Sequence, residues 1–249
     1  MSKVNRKYYS SSYLHIMVQG INKEDIFKHE IYKKLYLKLL QKYLNEFNVN
    51  LLAYVVMDNH AHMLIHYKNI EELSKFMSKV NQNFAQIYNK HEERVGYVFR
   101  SRYKCKEIID MQYLYVVLAY IHFNPYKANI VSKLSDYKFS SYNNFINKKI
   151  SKEDAYFLFK TDKYENIFTD IHKQYFEKYI NRDEFYKKII NDFIEINDVE
   201  SYELIKKDDV MLMKLIDILK NKTKLSDRKI CKLLNIGKNR ITTLRKKIK

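Results

Sequence analysis

The 249-residue sequence has few residues that crosslink or interrupt a chain: two cysteines, three glycines and one proline. Cys105 and Cys231 lie far apart in sequence, which argues against a disulfide framework or a thiolate zinc site. No apolar run approaches the length of a membrane span, and the N-terminal MSKVNRKYYSSSY lacks the apolar stretch of a signal peptide. We therefore expect a cytoplasmic protein without a membrane partner.

What the chain has in excess is positive charge, with a net value of +17. The thirty residues from Lys220 to Lys249 hold twelve Lys or Arg against one acid, Asp227, and so contribute +11 of it. A basic tail indicates a polyanionic partner, most commonly nucleic acid. General lysine enrichment would explain part of the excess. The hydrophobic content of 46% is sufficient for a genuine core.

Hydrophobic periodicity predicts an α+β fold. The predicted strands are 13–18, 49–57, 60–67 and 103–109, and the predicted helices are 30–47, 70–90 and a helix that Asp110 caps, which runs to Phe123 and is stopped by Pro125. This order is that of a ferredoxin-like antiparallel sheet with helices on one face. After about residue 142 the pattern becomes helical, so we expect an all-α C-terminal extension.

Histidines mark the third predicted strand, in the stretch MDNHAHMLIH. Because residues two apart in a strand project from the same face, His60 and His62 can converge on one metal ion. His66 lies two pleats further along that face and is better suited to a structural role. The alternative is that these imidazoles are merely solvated or are satisfied by neighbouring polar groups.

The helix capped by Asp110 carries Tyr120 and Asn124 four residues apart, hence one turn apart on one face. An asparagine oxygen is a reasonable ligand for a hard divalent ion, and two imidazoles plus an amide leave positions open for a phosphate. In the alternative interpretation Tyr120 is a core aromatic and Asn124 caps the helix. Tyr113, two turns earlier, is the competing nucleophile.

Several motifs in order give the sequence a specific resemblance. These are QGIN at 19–22 with Ile26-Phe27, HAH at 60–62, GYVFRSRY at 96–103, YIHFNPYKANIV at 120–131 and DYKFSSY at 136–142. Together they resemble the single-tyrosine HUH transposases of the IS200-like superfamily, and most of all the transposases associated with repetitive extragenic palindromes. Three departures, Asp58, Ala61 and the pair Phe99-Arg100, remove no catalytic group.

The resemblance implies an enzyme that cleaves and rejoins single-stranded DNA at hairpin-flanked sites. It makes Tyr120 the nucleophile of a 5′-phosphotyrosine intermediate, and it makes His60, His62 and Asn124 the ligands of a divalent metal, Mg²⁺ or Mn²⁺. It also implies a bacterial cytoplasmic protein that is associated with the nucleoid when bound to DNA. The resemblance covers about residues 8–145.

Two further stretches are predicted to bind DNA. Arg100, Arg102 and Lys104 alternate with Ser101 and Tyr103 and could hold a phosphate backbone, although a solvated strand face would look the same. Residues 224–247 have a helix-turn-helix pattern with its turn at 235–237. The side chains predicted to face outward from it, towards duplex DNA, are Lys238, Asn239, Arg240, Thr242, Thr243 and Arg245. A generic basic helical hairpin would share much of this pattern.

We therefore predict three regions: a catalytic domain at 1–145, a helical connector at 146–205 and a DNA-binding region at 206–249. Two alternative functions stay open, a catalytically silent DNA-binding regulator derived from a transposase and a metal-dependent nuclease that uses water. The sequence leaves the oligomeric state undecided, although the long helical extension favours a monomer.

Overall fold

The first strand, β1 (Tyr13–Gln19), shows how the sheet is built. Its residues alternate between buried and half-buried, with Leu14, Ile16 and Val18 on the buried side. Because successive side chains of a strand point to opposite faces, one face of β1 is apolar and the other presents His15, Met17 and Gln19. This structure is a computed structural model that describes residues 9–223 and 225–247.

The sheet has four antiparallel strands. β2 (Val49–Val56), β3 (His60–Tyr67) and β4 (Lys104–Glu107) join β1 in the order β2-β3-β1-β4. With α1 (Glu30–Leu44) between β1 and β2, and α2 (Ile70–His91) between β3 and β4, this is the ferredoxin-like arrangement. The predicted fold class is confirmed.

The helices α1 and α2 pack side by side on the sheet and supply much of its core. Asn69 caps α2 by accepting a hydrogen bond from the Glu71 backbone N–H at 2.7 Å, where the chain leaves β3. Phe27, from the loop before α1, contacts Tyr36 of α1 and Phe84 of α2, with ring centroids 5.0 Å apart in both pairs. All three rings are completely buried. This aromatic cluster fixes the two helices relative to each other.

Gly20 ends β1 at a point where the chain passes very close to itself. A Cβ atom at this position would lie 2.3 Å from the carbonyl oxygen of Glu24, which no real side chain tolerates. Its N–H donates to the carbonyl of Asn59, so the loop is tied to the turn between β2 and β3. The loop therefore stays beside the histidine strand.

A third helix, α3 (Met111–Lys127), begins as predicted but ends later. The Asp110 side chain accepts from the Tyr113 N–H at 2.6 Å and caps it. The expected stop at Phe123 is wrong, since the helix runs through Pro125. Proline at this late position removes only one backbone donor, and Ala128 N–H still closes the last turn on the Asn124 carbonyl at 3.0 Å.

Three short helices complete the first of two compact units, which divide between Tyr175 and Phe176. They are α4 (Tyr142–Ile146), α5 (Lys152–Phe159) and α6 (Glu165–Tyr175). A buried chain of hydrogen bonds ties α6 to α3: His172 donates through Nδ1 to the Phe168 carbonyl and pairs through Nε2 with His122 Nδ1 at 2.9 Å. His122 Nε2 pairs with Ser141 Oγ, also at 2.9 Å.

The second unit is helical and has its own core. A π-helical turn (Phe176–Ile180) leads into α7 (Asn181–Ile196), α8 (Tyr202–Lys207), α9 (Asp209–Thr223), α10 (Asp227–Leu233) and α11 (Arg240–Lys247). Among the residues described, no strand follows β4, so the all-α extension is confirmed. The core residues that are almost fully buried are Ile205, Leu212, Leu215, Ile216, Leu219, Ile230, Leu234, Ile241 and Leu244.

The packing divides the chain differently from the predicted regions. Residues 146–175 belong to the same compact unit as the sheet, and residues 176–205 belong to the second unit. The functional division at 145 and 205 stays a prediction. Cys105 and Cys231 are free thiols, as expected. Within the two described ranges, no helix combines the length and apolarity that crossing a bilayer would require.

Candidate active site

Three elements of the first unit bring histidines and a tyrosine together. In the pairing of β1 with β3, Met17 lies opposite His62 and Gln19 lies opposite His60, so His15 is one pleat from His62 on the same face. The ring centroids of His60 and His62 are 5.0 Å apart. The helix α3 crosses this face and places the ring of Tyr120 5.3 Å from His62, edge to face.

The structure thus brings the predicted nucleophile and the predicted histidine pair together. Tyr113, the alternative nucleophile, is on the same helix but contacts Lys106, whose Nζ lies 4.2 Å from its ring centroid. For Tyr113, no contact with the histidine pair is observed within the described residues. The assignment of Tyr120 as the nucleophile stays a prediction, and its proximity to His62 is the observation that favours it over Tyr113.

His60 is oriented by the residue before it. Its Nδ1 lies 2.5 Å from Asn59 Oδ1, and because that amide oxygen can only accept, Nδ1 carries the proton. The remaining nitrogen, Nε2, then has a lone pair available for a metal. Burial lowers the pKa of His60, and the Asp58 carboxylate opposes this shift. Asp58 is itself paired with the buried Lys33 at 2.6 Å.

His62 is more deeply buried and is paired with a third histidine. Its Nδ1 lies 2.9 Å from Nε2 of His15. Burial, reinforced by the neighbouring His15 and His60, holds the pKa of His62 well below its usual value. Burial and the Lys106 ammonium lower the pKa of His15 to about 4. All three imidazoles are therefore neutral at pH 7, which is the form that ligates metals.

Tyr120 is half-buried between the histidines and its own helix. Burial raises the pKa of its phenol, Tyr113 raises it further, and a hydrogen bond from the Asn124 side chain opposes both. The phenol is thus protonated at neutral pH and requires assistance to act as a nucleophile.

Asn124 is held by the helix that carries the tyrosine. Its Nδ2 donates to the Tyr120 carbonyl at 2.7 Å. Since the nitrogen is committed as a donor, Oδ1 is the atom of this side chain able to ligate a cation. The same bond is also the one that a structural residue near a helix end makes.

The two imidazoles of His60 and His62, 5.0 Å apart, are donors that suit a divalent ion, and the Asn124 amide oxygen on the helix of Tyr120 is the third ligand predicted from the sequence. Within residues 9–223 and 225–247, no group of three His, Cys, Asp or Glu side chains is arranged to hold a metal, and this face is no exception. A metal at this face would therefore depend on the amide, water and substrate for its other ligands. His66 stacks on Phe157 at 4.0 Å, in keeping with the structural role predicted for it.

Two residues of this face were missed in the sequence, His15 and Lys106. They lie opposite each other in the pairing of β1 with β4, so both project on the histidine side. The signal was the alternation of β1, in which His15 takes a polar position, but the pairing partner of β1 is not visible in a single sequence.

The predicted DNA-binding residues near the sheet border the same face. Arg100, Arg102 and Lys104 are all exposed. The Arg100 N–H donates to the Gln19 carbonyl at 2.9 Å, which holds this basic loop against the end of β1. Lys104 lies opposite Met17 and thus shares a face with His15.

In the second unit the helix-turn-helix prediction is only partly matched by side-chain orientation. The turn after α10 includes Asn235 at φ +48°, and Lys238, Asn239, Thr242 and Thr243 are exposed as expected. Arg240 and Arg245 are partly exposed but ion-paired, so their predicted role in DNA binding stays a prediction. Arg240 pairs with Asp209 at 2.5 Å and Arg245 with Asp227 at 2.9 Å, because these acids on α9 and α10 face α11.

Comparison with known proteins finds a family match and similar solved structures. Residues 8–124 match the family described as Transposase IS200 like. A solved structure, that of a REP-associated tyrosine transposase bound to a REP hairpin, is similar with a TM-score of 0.52 and 18% identity, covering 62% of this chain and 90% of the other.

A Deinococcus radiodurans R1 protein described as a transposase has a TM-score of 0.34 and 13% identity over 60% of this chain and 99% of its own. That second similarity is too low to support an argument. No curated protein matches the sequence.

The first unit is therefore a transposase domain. Residues 8–124 belong to the IS200-like transposase family, and they include all of the candidate groups from His15 to Asn124. Membership assigns the chain to DNA transposition, a form of DNA recombination that requires DNA binding.

Proposed function

We propose that this transposase cleaves and rejoins single-stranded DNA with Tyr120 as its nucleophile. The observation that carries the proposal is the contact between the Tyr120 ring and His62, at 5.3 Å, on a sheet face that also holds His60. A phenol beside two neutral, oriented imidazoles is the arrangement that metal-assisted attack on a phosphodiester requires.

His60, His62 and Asn124 would hold the divalent ion, Mg²⁺ or Mn²⁺. When bound, the ion polarises the phosphate oxygens and stabilises the charge that develops on them. The chain's own contribution is orientation: Asn59 and His15 bond the Nδ1 atoms of the two ligand histidines, and Asn124 bonds the helix turn that carries Tyr120. Second contacts of this kind fix ring orientation and ligand basicity.

In the reaction, Tyr120 Oη attacks the phosphorus of one phosphodiester. The P–Oη bond forms, the P–O3′ bond breaks, and the phenol loses its proton to solvent while the leaving 3′ oxygen takes one up. The products are a 5′-phosphotyrosine and a free 3′-hydroxyl. Attack of a 3′-hydroxyl on this linkage rejoins DNA and regenerates the phenol, so no nucleotide cofactor is consumed.

We propose hairpin-bearing single-stranded DNA as the substrate. The similar transposase structure is bound to a REP hairpin, and in this chain an exposed basic edge formed by Arg100, Arg102 and Lys104 borders the site. Charge of this kind holds a phosphate backbone without selecting sequence. The second unit would add duplex contacts through Lys238, Asn239, Thr242 and Thr243, with Arg240 and Arg245 available only if their ion pairs open.

Replacement of Tyr120 by phenylalanine tests the nucleophile. The parent, incubated with Mn²⁺ and end-labelled hairpin oligonucleotides from the DNA flanking the gene, should form a covalent protein–DNA adduct, and Tyr120→Phe should form none. The matched control is Tyr113→Phe, on the same helix and near the same face, which should retain the adduct. Peptide mapping of the adduct then identifies the linked residue.

The other outcomes decide between the alternatives. An adduct that survives in Tyr120→Phe but disappears in Tyr113→Phe would move the nucleophile to Tyr113. Cleaved DNA with free 5′ ends and no attached protein would indicate a nuclease that uses water. DNA binding without cleavage in the parent, across several metals and hairpins, would identify a DNA-binding regulator.

A further inference from the structure

His15 lies at the centre of the candidate site, although neither the motifs nor the predicted ligand set includes it. Its ring centroid is 5.0 Å from that of His62 and 5.6 Å from that of Tyr120. The contact with Tyr120 is edge to face, with an interplanar angle of 72°. One side chain of β1 thus touches both the predicted metal-binding strand and the predicted nucleophile.

The hydrogen bond between the two imidazoles carries chemical information. His15 Nε2 and His62 Nδ1 are 2.9 Å apart, so one nitrogen must donate and the other accept. If His62 Nδ1 donates, then His62 Nε2 keeps a lone pair and can ligate a metal. If His15 Nε2 donates, a neutral His62 carries its own proton on Nε2 and cannot ligate.

We propose that His15 is a positioning residue, which accepts the Nδ1 proton of His62 to present His62 Nε2 as a ligand and at the same time supports the ring of Tyr120. This inference rests on the proposed function, because it assigns His62 as a ligand. Asn59 does the same for His60, since its side-chain oxygen faces His60 Nδ1 at 2.5 Å. The tautomers of the two ligand histidines would therefore be determined by two different neighbours, an amide from the turn and an imidazole from the adjacent strand.

Two substitutions at His15 separate its role as hydrogen-bond acceptor for His62 from its ring contact with Tyr120. In His15→Phe the ring that contacts Tyr120 is kept but the acceptor is lost, and we expect Mn²⁺ affinity, measured by titration calorimetry without DNA, to fall about 10- to 100-fold. In His15→Gln the side-chain oxygen can still accept from His62 Nδ1, so most of the affinity should return. If His15→Phe binds Mn²⁺ as tightly as the parent, the inference is overturned.

A matched control lies on the same sheet face. His66 is buried and stacked on Phe157, and its Nδ1 has no hydrogen-bond partner among the described residues, so His66→Phe should leave Mn²⁺ affinity unchanged. An equal loss of affinity in His66→Phe would show that any histidine replacement on this face disturbs the fold, and it would remove the support for a specific role of His15.

A direct spectroscopic measurement covers the case in which His15→Phe does not fold. In the metal-free parent, long-range ¹H–¹⁵N correlation spectra should show His62 protonated on Nδ1, and protonation on Nε2 would overturn the inference. The proposed function fails separately: a parent that forms no adduct refutes the tyrosine mechanism, whereas a parent that forms it with His62 in the wrong tautomer refutes only the role of His15.

Discussion

The two faces of the sheet are made by the same strands but differ in what they bury. On one face Ile16, Ala61 and Met63 are completely buried in an apolar core. On the other face, the alternate positions of the same strands hold His15 and His62, which contact each other and Tyr120. The first face stabilises the fold through burial of apolar area, whereas the second forgoes part of that gain to hold polar groups in fixed orientations.

The largest expected difference between the faces is in stability. Ile16→Ala removes a completely buried side chain and should lower the free energy of unfolding by about 2 to 5 kcal/mol. Gln19→Ala, three residues along β1 on the histidine face, should cost less than about 1 kcal/mol because its side chain is only half-buried. Urea denaturation measures the free energy of unfolding of both variants. Equal losses in the two variants would contradict the idea that the apolar face stabilises the fold more than the histidine face.

The next effect is the pH dependence of stability, which arises from histidines that are buried neutral. Burial lowers the pKa of His172 to about 4, while the unfolded chain has the usual value near 6.5. Below about pH 6.5 the unfolded state binds the proton and the folded state does not. The contribution of neutral His172 to the free energy of unfolding is thus complete above pH 6.5. It falls towards pH 4 by up to about 1.4 kcal/mol per pH unit.

Urea midpoints at pH 7.5, 6 and 5 measure this slope. The pKa values of His122, His15 and His62 are also lowered, so these residues contribute to the same slope. The test is therefore the difference in slope between the parent and His172→Phe. His172→Phe should be less stable than the parent at pH 7.5 and should lose less stability on acidification. A variant with the same slope as the parent would show that His172 does not titrate in this window.

The smallest effect concerns Lys106, which follows Lys104 of the basic edge along β4 on the histidine face. Lys106→Ala removes an exposed cation opposite His15, and we expect weaker binding of single-stranded DNA with a log–log salt dependence reduced by about 0.7. Lys34→Ala, an exposed lysine on α1, is the control and should change neither quantity. Fluorescence anisotropy over a range of salt concentrations gives both numbers.

The sequence predicted what depends on local pattern. The alternation of β3, the capping of α3 by Asp110 and the spacing of Tyr120 from Asn124 are local, and the fold agrees with them. The pairing of His15 with His62 depends on strand register between segments 47 residues apart, which no local pattern specifies. In the second unit, the ion pairs of Arg240 and Arg245 likewise depend on which acids the tertiary packing brings near.

The buried chain from Ser141 through His122 to His172 has a practical consequence for work on this protein. The family match ends at residue 124, yet the reverse side of the tyrosine helix is covered by α6, whose last residue is Tyr175. A truncation at residue 145 would leave His122 without its partner on α6 and would expose Phe123, which stacks on Tyr175. A shortened version intended for crystallisation or enzymology should therefore extend at least to Tyr175.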